Sequence, residues 1–130
     1  MKKLLITLLL AVLSTSAMAG WTLIGSTEDK TSDNYIDKTT IRKRGNVAKM
    51  WNMHDFKSPQ ESAGGKSYLS KKLLYEYDCV EIRYRSLVST FFSGNIGKGG
   101  AVLNYQHDEE WTDAEPDSVG MGNWKAACKK

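Results

Sequence analysis

The sequence predicts an α+β fold, in which about six strands form a sheet and a C-terminal helix packs on one face of it. Three observations carry this prediction: short runs that alternate apolar and polar residues, turn-forming clusters between those runs, and a helix-like repeat near the end of the chain. The chain has 130 residues, of which 41% are hydrophobic. This is enough for one domain with a core of its own.

Residues 1–19 have the pattern of a cleaved secretory signal peptide. Its parts are a basic start, an apolar stretch and a small-residue cleavage site, at Lys2–Lys3, Leu4–Leu13 and Ala17–Ala19. The apolar stretch is too short for a membrane-spanning helix, which needs roughly 20 residues. We therefore expect export, and a single domain formed by residues 20–130.

The mature chain is close to neutral. The sequence holds 18 Lys and Arg residues and 15 Asp and Glu residues, and two of the lysines lie in the leader, so the formal charge after cleavage is +1. Nucleic-acid-binding domains show a clustered basic footprint instead, so we expect no nucleic-acid partner. Gly20, rather than a cysteine, follows the cleavage site, so we expect no lipid anchor.

The two cysteines, Cys79 and Cys128, can pair only with each other within one chain. In an exported protein a disulfide is the favoured state, and two free thiols are the less favoured alternative. Closing a loop of about 50 residues stabilises a fold by roughly 4 kcal/mol in the chain-entropy model. We therefore expect this bond to hold the C-terminal helix on the sheet.

Six runs have the composition and alternation of strands. They are Trp21–Ser26, Tyr35–Ile36, Val47–Phe56, Ser67–Cys79, Val80–Phe92 and Ala101–Gln106. Both faces of the third run carry large apolar groups, which places it near the centre of the sheet. The polar segment Lys57–Lys66, with Pro59 and two glycines, predicts an exposed loop.

A turn of helix and a basic hairpin tip are expected between the second and third runs. Asp37, Thr39 or Thr40 is suited to cap one helical turn that ends at Ile41. The segment Arg42–Asn46 then predicts a solvent-exposed turn, because Gly and Asn tolerate positive φ. Its three cations are weak grounds for a heparin-like or nucleic-acid patch.

The fourth and fifth runs carry the candidate binding face. Lys72, Glu76, Arg83 and Arg85 are expected to line a solvent-exposed face, where opposite charges on neighbouring strands contribute about 0.2 to 1 kcal/mol each. Arginine is enriched at interface hot spots, so Lys72, Arg83 and Arg85 are the candidate binding residues. The hypothesised surface also includes Lys71, which precedes Lys72, and Tyr84, which lies between the two arginines, although strand alternation prevents all five from sharing a face.

Strict alternation makes two further predictions about these runs. The face with Cys79 is the more apolar one in its strand, so the disulfide is expected at the edge of the core. In the fifth run, Tyr84, Val88 and Phe92 are expected to share one face.

The glycine-rich segment Gly94–Gly100 does not match a phosphate-binding loop. That motif is G-x-x-x-x-G-K-[ST] leading into a helix, whereas Lys98 here is followed by two glycines and a strand-like run. We therefore expect a mobile hairpin loop.

No catalytic or metal-binding constellation is apparent. His107 stands beside three carboxylates that end at Glu110, but this spacing matches no metal motif, so a solvated acidic turn is favoured. A nucleophile needs a base and an orienting partner, and the only other histidine is His54. We expect no enzyme, no cofactor and no metal, and Trp111 is expected to anchor a strand or the core.

A C-terminal helix is predicted to begin after Asp117 or Ser118, either of which can cap it, and to end near Cys128. Gly120 and Gly122 each weaken such a helix by roughly 1 kcal/mol relative to alanine. The helix therefore needs its tryptophan to pack on the sheet. The residues spaced for one face are Met121, Trp124 and Cys128.

Several of these motifs occur together in one known family. The most specific are the EYDC block Glu76–Cys79, the Arg-Tyr-Arg strand that follows, and the spacing W-x-x-x-C from Trp124 to Cys128. With these motifs the mature chain resembles the bacterial surface-adhesin protein E family over nearly its whole length. The further matching segments are Trp21, Asn34–Lys57, Gly64–Gly94, Trp111 and Asp117–Cys128.

The resemblance implies an antiparallel sheet of about six strands, with the C-terminal helix tied to one face by the disulfide. For the member that gave the family its name, it implies adhesion to host matrix proteins such as vitronectin and laminin, and capture of plasminogen. The expected location is the periplasm, cell surface or medium of a Gram-negative bacterium.

Two questions stay open at this point. A periplasmic protein with a housekeeping or inhibitor role is the alternative function, for instance one that blocks lysozyme by inserting the loop Gly94–Gly100. Exposed edge strands also leave a homodimer open.

Overall fold

Within the residues that the structure describes, seven antiparallel strands form a single sheet, and one C-terminal helix packs on one of its faces. The computed structural model describes residues 20–106 and 109–129. The predicted leader, residues 1–19, and the pair His107–Asp108 of the predicted acidic turn lie outside these ranges. Within the described ranges no helix is long and apolar enough to cross a membrane.

The strands follow one another in chain order, each hydrogen-bonded to the next, and the last short strand pairs with β5. This arrangement confirms the predicted antiparallel α+β fold. The elements are β1 (Trp21–Ser26), β2 (Ser32–Arg44), β3 (Val47–Glu61), β4 (Ser67–Asp78), β5 (Arg83–Phe92), a 3₁₀ turn (Asn95–Gly97), β6 (Ala101–Gln106), β7 (Thr112–Asp113) and α1 (Val119–Cys128).

The predicted helical turn before Ile41 is wrong, because β2 is one strand of 13 residues. The polar residues proposed as helix caps serve a bulge instead, where the β2–β3 register shifts. The Asp37 carboxylate accepts from the amide of Thr39 at 3.0 Å. The Thr40 hydroxyl donates to the carbonyl of Asp37 at 2.6 Å and accepts from the amide of Trp51 at 3.0 Å. These bonds satisfy the backbone without a helix.

The end of β3 and the start of β5 also differ from the predicted positions. The segment Lys57–Glu61 belongs to β3, so the predicted loop is confined to residues 62–66. Pairing with β4 lapses between Asp55 and Gln60, which accommodates Pro59 because it has no N–H for the ladder. β5 begins at Arg83 rather than Val80, after a turn formed by residues 79–82.

A bulge in β5 reverses its alternation. Leu74 pairs with Val88 while Tyr75 pairs with Ser86, so β5 holds one extra residue at Leu87. A bulge moves every later side chain to the other face. The prediction that Tyr84 and Phe92 share a face is therefore wrong.

The two faces of the sheet have different roles. We call the face that packs against α1 the helix face and the opposite one the open face. The helix face holds the core, formed by Ile36, Ala48, Met50, Tyr77 and, from α1, Ala127, each at most 1% exposed. The Tyr77 hydroxyl bonds with the Asn52 side chain, so this buried polar pair is satisfied.

The helix is held as predicted by its cap, its tryptophan and the disulfide. The Ser118 hydroxyl accepts from the amide of Met121 at 3.1 Å, which identifies Ser118 as the N-cap. The Trp124 indole N–H donates to the carbonyl of Asp78 at 2.8 Å, and Cys79 is bonded to Cys128. The predicted face was incomplete, because the residues buried most deeply are Asn123 and Ala127.

The two helix glycines predict opposite effects of alanine substitution. A Cβ at Gly120 would lie 2.8 Å from Cε1 of Tyr84, whereas a Cβ at Gly122 would meet Cγ2 of Ile24 at 3.5 Å, an ordinary contact. Gly120→Ala is therefore expected to lower the free energy of unfolding by about 1 to 3 kcal/mol through overpacking. Gly122→Ala is expected to raise it by about 0.5 to 1 kcal/mol through helix propensity.

Urea denaturation of both variants measures these changes. The two substitutions are matched controls for each other, because they add the same methyl group two positions apart in one helix. A stabilised Gly120→Ala variant would contradict the close approach of α1 to Tyr84.

Candidate functional site

The open face brings together the three cations proposed as the binding face. Arg83 pairs with Asp78, and Arg85 pairs with Glu76 across β4 and β5. Beyond the bulge, Lys72 of β4 lies on the same face, opposite Thr90. Alternation and register place Lys71 and Tyr84 on the helix face.

Arg83 and Arg85 are each held between a carboxylate and one indole ring. Their guanidinium carbons lie 4.7 and 4.5 Å from the centre of the Trp111 ring. Arg83 Nε is 3.1 Å from Asp78 Oδ2, and Arg85 Nη2 is 2.8 Å from Glu76 Oε2. Cation–π contacts and ion pairs of this kind hold both guanidinium groups in fixed orientations.

Trp111 occupies this position because β7 attaches to the edge of β5. Arg83 pairs with Asp113 and Tyr84 pairs with Thr112, so the preceding residue, Trp111, reaches the open face. It is half-buried. Trp111 was expected to anchor a strand or the core. It lies directly before β7 and packs against two arginines on the face opposite the core.

The Asp78 side chain is a stabilised carboxylate anion beside these arginines. The pKa of the Asp78 carboxyl is lowered, most strongly by the amide of Glu81 and also by the amide of Val80 and the guanidinium of Arg83. Its Oδ1 accepts from both amides at 3.0 Å. The ion pair with Arg83 therefore persists well into the acidic range.

Lys72 is held by two other rings. Its Nζ lies 5.6 Å from the ring centre of Trp21 and 5.2 Å from that of Phe92. A shallow cavity of about 420 Å³ surrounds this cation. It is lined by Trp21, Asp37, Thr40, Trp51, Lys72, Thr90 and Phe92.

The glycine-rich segment Gly94–Gly100 is packed on the open face rather than projecting as a free hairpin. The Asp55 carboxylate accepts from the amide of Ile96 at 2.7 Å. The Ser70 hydroxyl accepts from the amide of Gly97 at 2.8 Å and donates to a loop carbonyl at 2.6 Å. These bonds hold the loop against the open face, whereas a mobile hairpin loop was expected.

A smaller cavity of about 190 Å³ lies between α1 and the helix face. Burial, together with the nearby ammonium of Lys71, lowers the pKa of His54 in this cavity to about 4. Burial also raises the pKa values of Tyr75 and Tyr84. The cavity lining therefore stays uncharged near neutral pH.

A metal site is not assembled by the part of the chain that the structure describes. Across residues 20–106 and 109–129, no three His, Cys, Asp or Glu side chains converge to hold an ion. The segment for which a solvated acidic turn was favoured over a metal site includes His107 and Asp108, which lie outside those ranges.

Sequence reasoning missed the aromatic partners of the cations. Trp21 and Trp111 lie far from the candidate residues in sequence, and nothing in their spacing shows that they meet Lys72 or the arginines. The alternation of Arg42 and Arg44 with Lys49 was a usable signal, because a two-residue hairpin turn places all three on one face.

The sequence profile of surface-adhesin protein E matches residues 21–129. No curated protein sequence matches significantly. Among solved structures, the selenomethionine form of Haemophilus influenzae protein E is similar, with a TM-score of 0.64, 13% identity, and coverage of 85% of this chain and 86% of that one. Crystal form II of the same protein has a TM-score of 0.63 at 13% identity, and the match covers 85% of this chain and 87% of that one.

Protein E from non-typeable Haemophilus influenzae gives a TM-score of 0.57 at 14% identity, over 84% of this chain and 74% of that one. At such identity these structures support the fold alone. The profile match covers nearly all of the described domain. This chain therefore belongs to the surface-adhesin protein E family.

Proposed function

We propose that this protein is an exported, non-enzymatic binding protein, an adhesin whose open face binds host extracellular-matrix proteins. The observation that carries the proposal is the set of three cations, Lys72, Arg83 and Arg85, each held against an aromatic ring on one face. Membership of an adhesin family supports it independently.

The geometry suits a protein partner for two reasons. Arginine and tryptophan are the residue types most enriched at interface hot spots, and Arg83, Arg85 and Trp111 stand together here. Side chains that are already fixed also lose less conformational entropy on binding. The partner surface should be acidic, and the interaction should weaken as salt is added.

The resemblance to the family names vitronectin, laminin and plasminogen as the partners to test. Export through a cleaved leader, residues 1–19, and folding of residues 20–130 as one domain belong to the same proposal. The disulfide supports export, because such bonds persist in oxidising compartments.

A binding assay tests the face directly. Mature protein is applied to immobilised vitronectin, laminin, plasminogen and albumin at increasing salt. The double variant Arg83→Gln/Arg85→Gln is expected to bind the matrix proteins about tenfold or more weakly, because it removes two fixed cations. The double variant Lys57→Gln/Lys125→Gln removes the same charge from exposed positions elsewhere. It is the matched control and should bind like the wild type.

Circular dichroism of each variant separates loss of binding from loss of fold. Binding of the wild type no better than to albumin would contradict the proposal. Protease treatment of intact cells gives an independent outcome: an adhesin is degraded, whereas a periplasmic protein is protected until the outer membrane is opened.

A further inference from the structure

A second feature of the open face is a groove at the tip of the β2–β3 hairpin. Its volume is about 550 Å³, within the range of roughly 300 to 1,000 Å³ typical of ligand sites. The lining residues are Arg42, Lys43, Arg44, Val47, Lys49 and Glu76. Register places Arg42, Arg44 and Lys49 on the open face and Lys43, opposite Ala48, on the helix face. Among its described lining residues the groove therefore combines three open-face cations with a single carboxylate.

The charge of this groove is not balanced by its own carboxylate. Glu76 is bound by Arg85, whose Nε and Nη2 both lie 2.8 Å from Glu76 Oε2. A second ion pair joins Arg83 to Asp78. Arg42, Arg44 and Lys49 thus have no carboxylate partner within the described part of the chain, and all three are exposed.

The cations are placed at regular intervals by the hairpin. Arg42 pairs with Lys49 and Arg44 pairs with Val47 across the two strands. Residues two apart on a strand are separated by about 6.6 Å, and paired residues by about 5 Å. The spacing suits a linear polymer that carries an anionic group on each repeating unit.

Arg42 is also fixed in orientation. Its Nη1 donates to the carbonyls of Thr39 at 3.2 Å and Ile41 at 2.9 Å. A guanidinium has five N–H donors, so most of its donors are left for a ligand. The rigid fork matches the paired oxygens of an oxyanion.

The residues that line the groove indicate which class of anionic polymer it fits. None of the described residues that line the groove is aromatic, whereas single-stranded nucleic acids are bound by stacking of bases on aromatic rings. Its one apolar residue, Val47, provides no pocket for the aliphatic or aromatic anchor that dominates protein interfaces. A polyanion without bases or apolar anchors fits best.

We propose that this groove binds sulfated polysaccharide chains, with Arg42, Arg44 and Lys49 as the residues that contact sulfate. The inference rests on the proposed function for its extracellular setting, and it deepens that function by naming a second chemistry on the open face. Sulfate groups supply the repeated oxyanions that the spacing and the arginine forks require.

Titration calorimetry with heparin, chemically desulfated heparin and duplex DNA tests this proposal. The mature wild type is expected to bind heparin, and to bind desulfated heparin and DNA about tenfold or more weakly. The triple variant Arg42→Gln/Arg44→Gln/Lys49→Gln should lose about tenfold or more in heparin affinity. The control triple Lys57→Gln/Lys98→Gln/Lys125→Gln removes the same charge from exposed sites elsewhere, and should bind like the wild type.

Several outcomes would overturn the inference. These are a groove variant that binds heparin as the wild type does, a control triple that loses as much affinity, or DNA that binds as tightly as heparin. Matrix-protein binding is measured on the same samples. If the wild type binds matrix proteins but not heparin, the polysaccharide proposal is wrong and the proposed function stands. If the wild type binds heparin but no matrix protein, only the proposed function is wrong.

Discussion

Replacing Cys79 and Cys128 together by alanine is expected to lower the free energy of unfolding by about 4 kcal/mol. The disulfide joins residues 49 positions apart, and a loop of this size removes much conformational freedom from the unfolded chain. Typical domains are stable by about 5 to 15 kcal/mol, so the expected loss is a large share of the total.

The local structure explains why the effect is concentrated on α1. The helix has ten residues, which is too short to be stable alone. It is attached to the end of β4 twice, through the disulfide and through the bond from the Trp124 indole to the carbonyl of Asp78. We therefore expect α1 to exchange its amide protons first in the alanine variant.

Urea denaturation with and without reductant measures this contribution. Reduced wild type should unfold near the midpoint of the Cys79→Ala/Cys128→Ala variant, and reductant should leave that variant unchanged. A loss below about 1 kcal/mol would show that packing alone holds the helix, contrary to the chain-entropy argument.

His54 is expected to make stability fall as the solution is acidified from pH 6.5 towards pH 4. Burial lowers the pKa of the folded imidazole to about 4, whereas an unfolded histidine titrates near 6.5. In this interval the unfolded chain binds a proton that the folded chain does not. The contribution of the neutral imidazole is therefore fully present above about pH 6.5 and is lost as the pH falls to about 4.

The size of this effect follows from the shift. Each pKa unit corresponds to about 1.4 kcal/mol, so the loss attributable to His54 approaches about 3 kcal/mol at pH 4. The ammonium of Lys71, opposite His54 in the β3–β4 ladder, contributes to the shift. Lys71 stays close because its Nζ lies about 6 Å from the ring centres of Phe56 and Phe91.

A His54→Gln variant isolates this contribution. The free energies of unfolding of wild type and variant are measured at pH 7, 5.5 and 4, and their difference is taken at each pH, which cancels the carboxylates common to both. The wild type should lose up to about 3 kcal/mol more than the variant. A constant difference, or an imidazole that titrates near pH 6.5 by NMR, would show that His54 is not desolvated.

Much of the fold was predictable because its signals are local. The strands, the glycine–asparagine hairpin turn and the Ser118 cap follow from alternation and from side chains that bond to nearby backbone. The same local chemistry misled at Asp37–Thr40, since a helix cap and a strand bulge use similar bonds. The sequence of the segment does not distinguish a helix cap from a bulge, because pairing with the neighbouring strand determines which of the two forms.

The candidate site was predictable only in outline. Lys72, Arg83 and Arg85 follow from charge and alternation, although the Leu87 bulge was needed to bring Lys72 and Phe92 to one face. The partners Trp21 and Trp111 are distant in sequence. A cation–π contact has no sequence period, so composition does not reveal it.

The packing of the glycine-rich segment Gly94–Gly100 was also not predictable from its own sequence. Its composition favours flexibility, but Asp55 and Ser70 from two central strands satisfy its amides. These partners are brought under the loop by the order of the strands, not by any residue within it.

Local patterns in this chain were sufficient for the fold class, the helix and the cysteine pair, because alternation, capping and the presence of only two cysteines constrain each of them without reference to distant residues. Tertiary structure alone decided which face each residue of β5 takes, which rings hold the cations, and that Arg42, Arg44 and Lys49 share a groove with Glu76. The reason is physical: these features depend on register and on bulges, and both are set by how neighbouring strands pair.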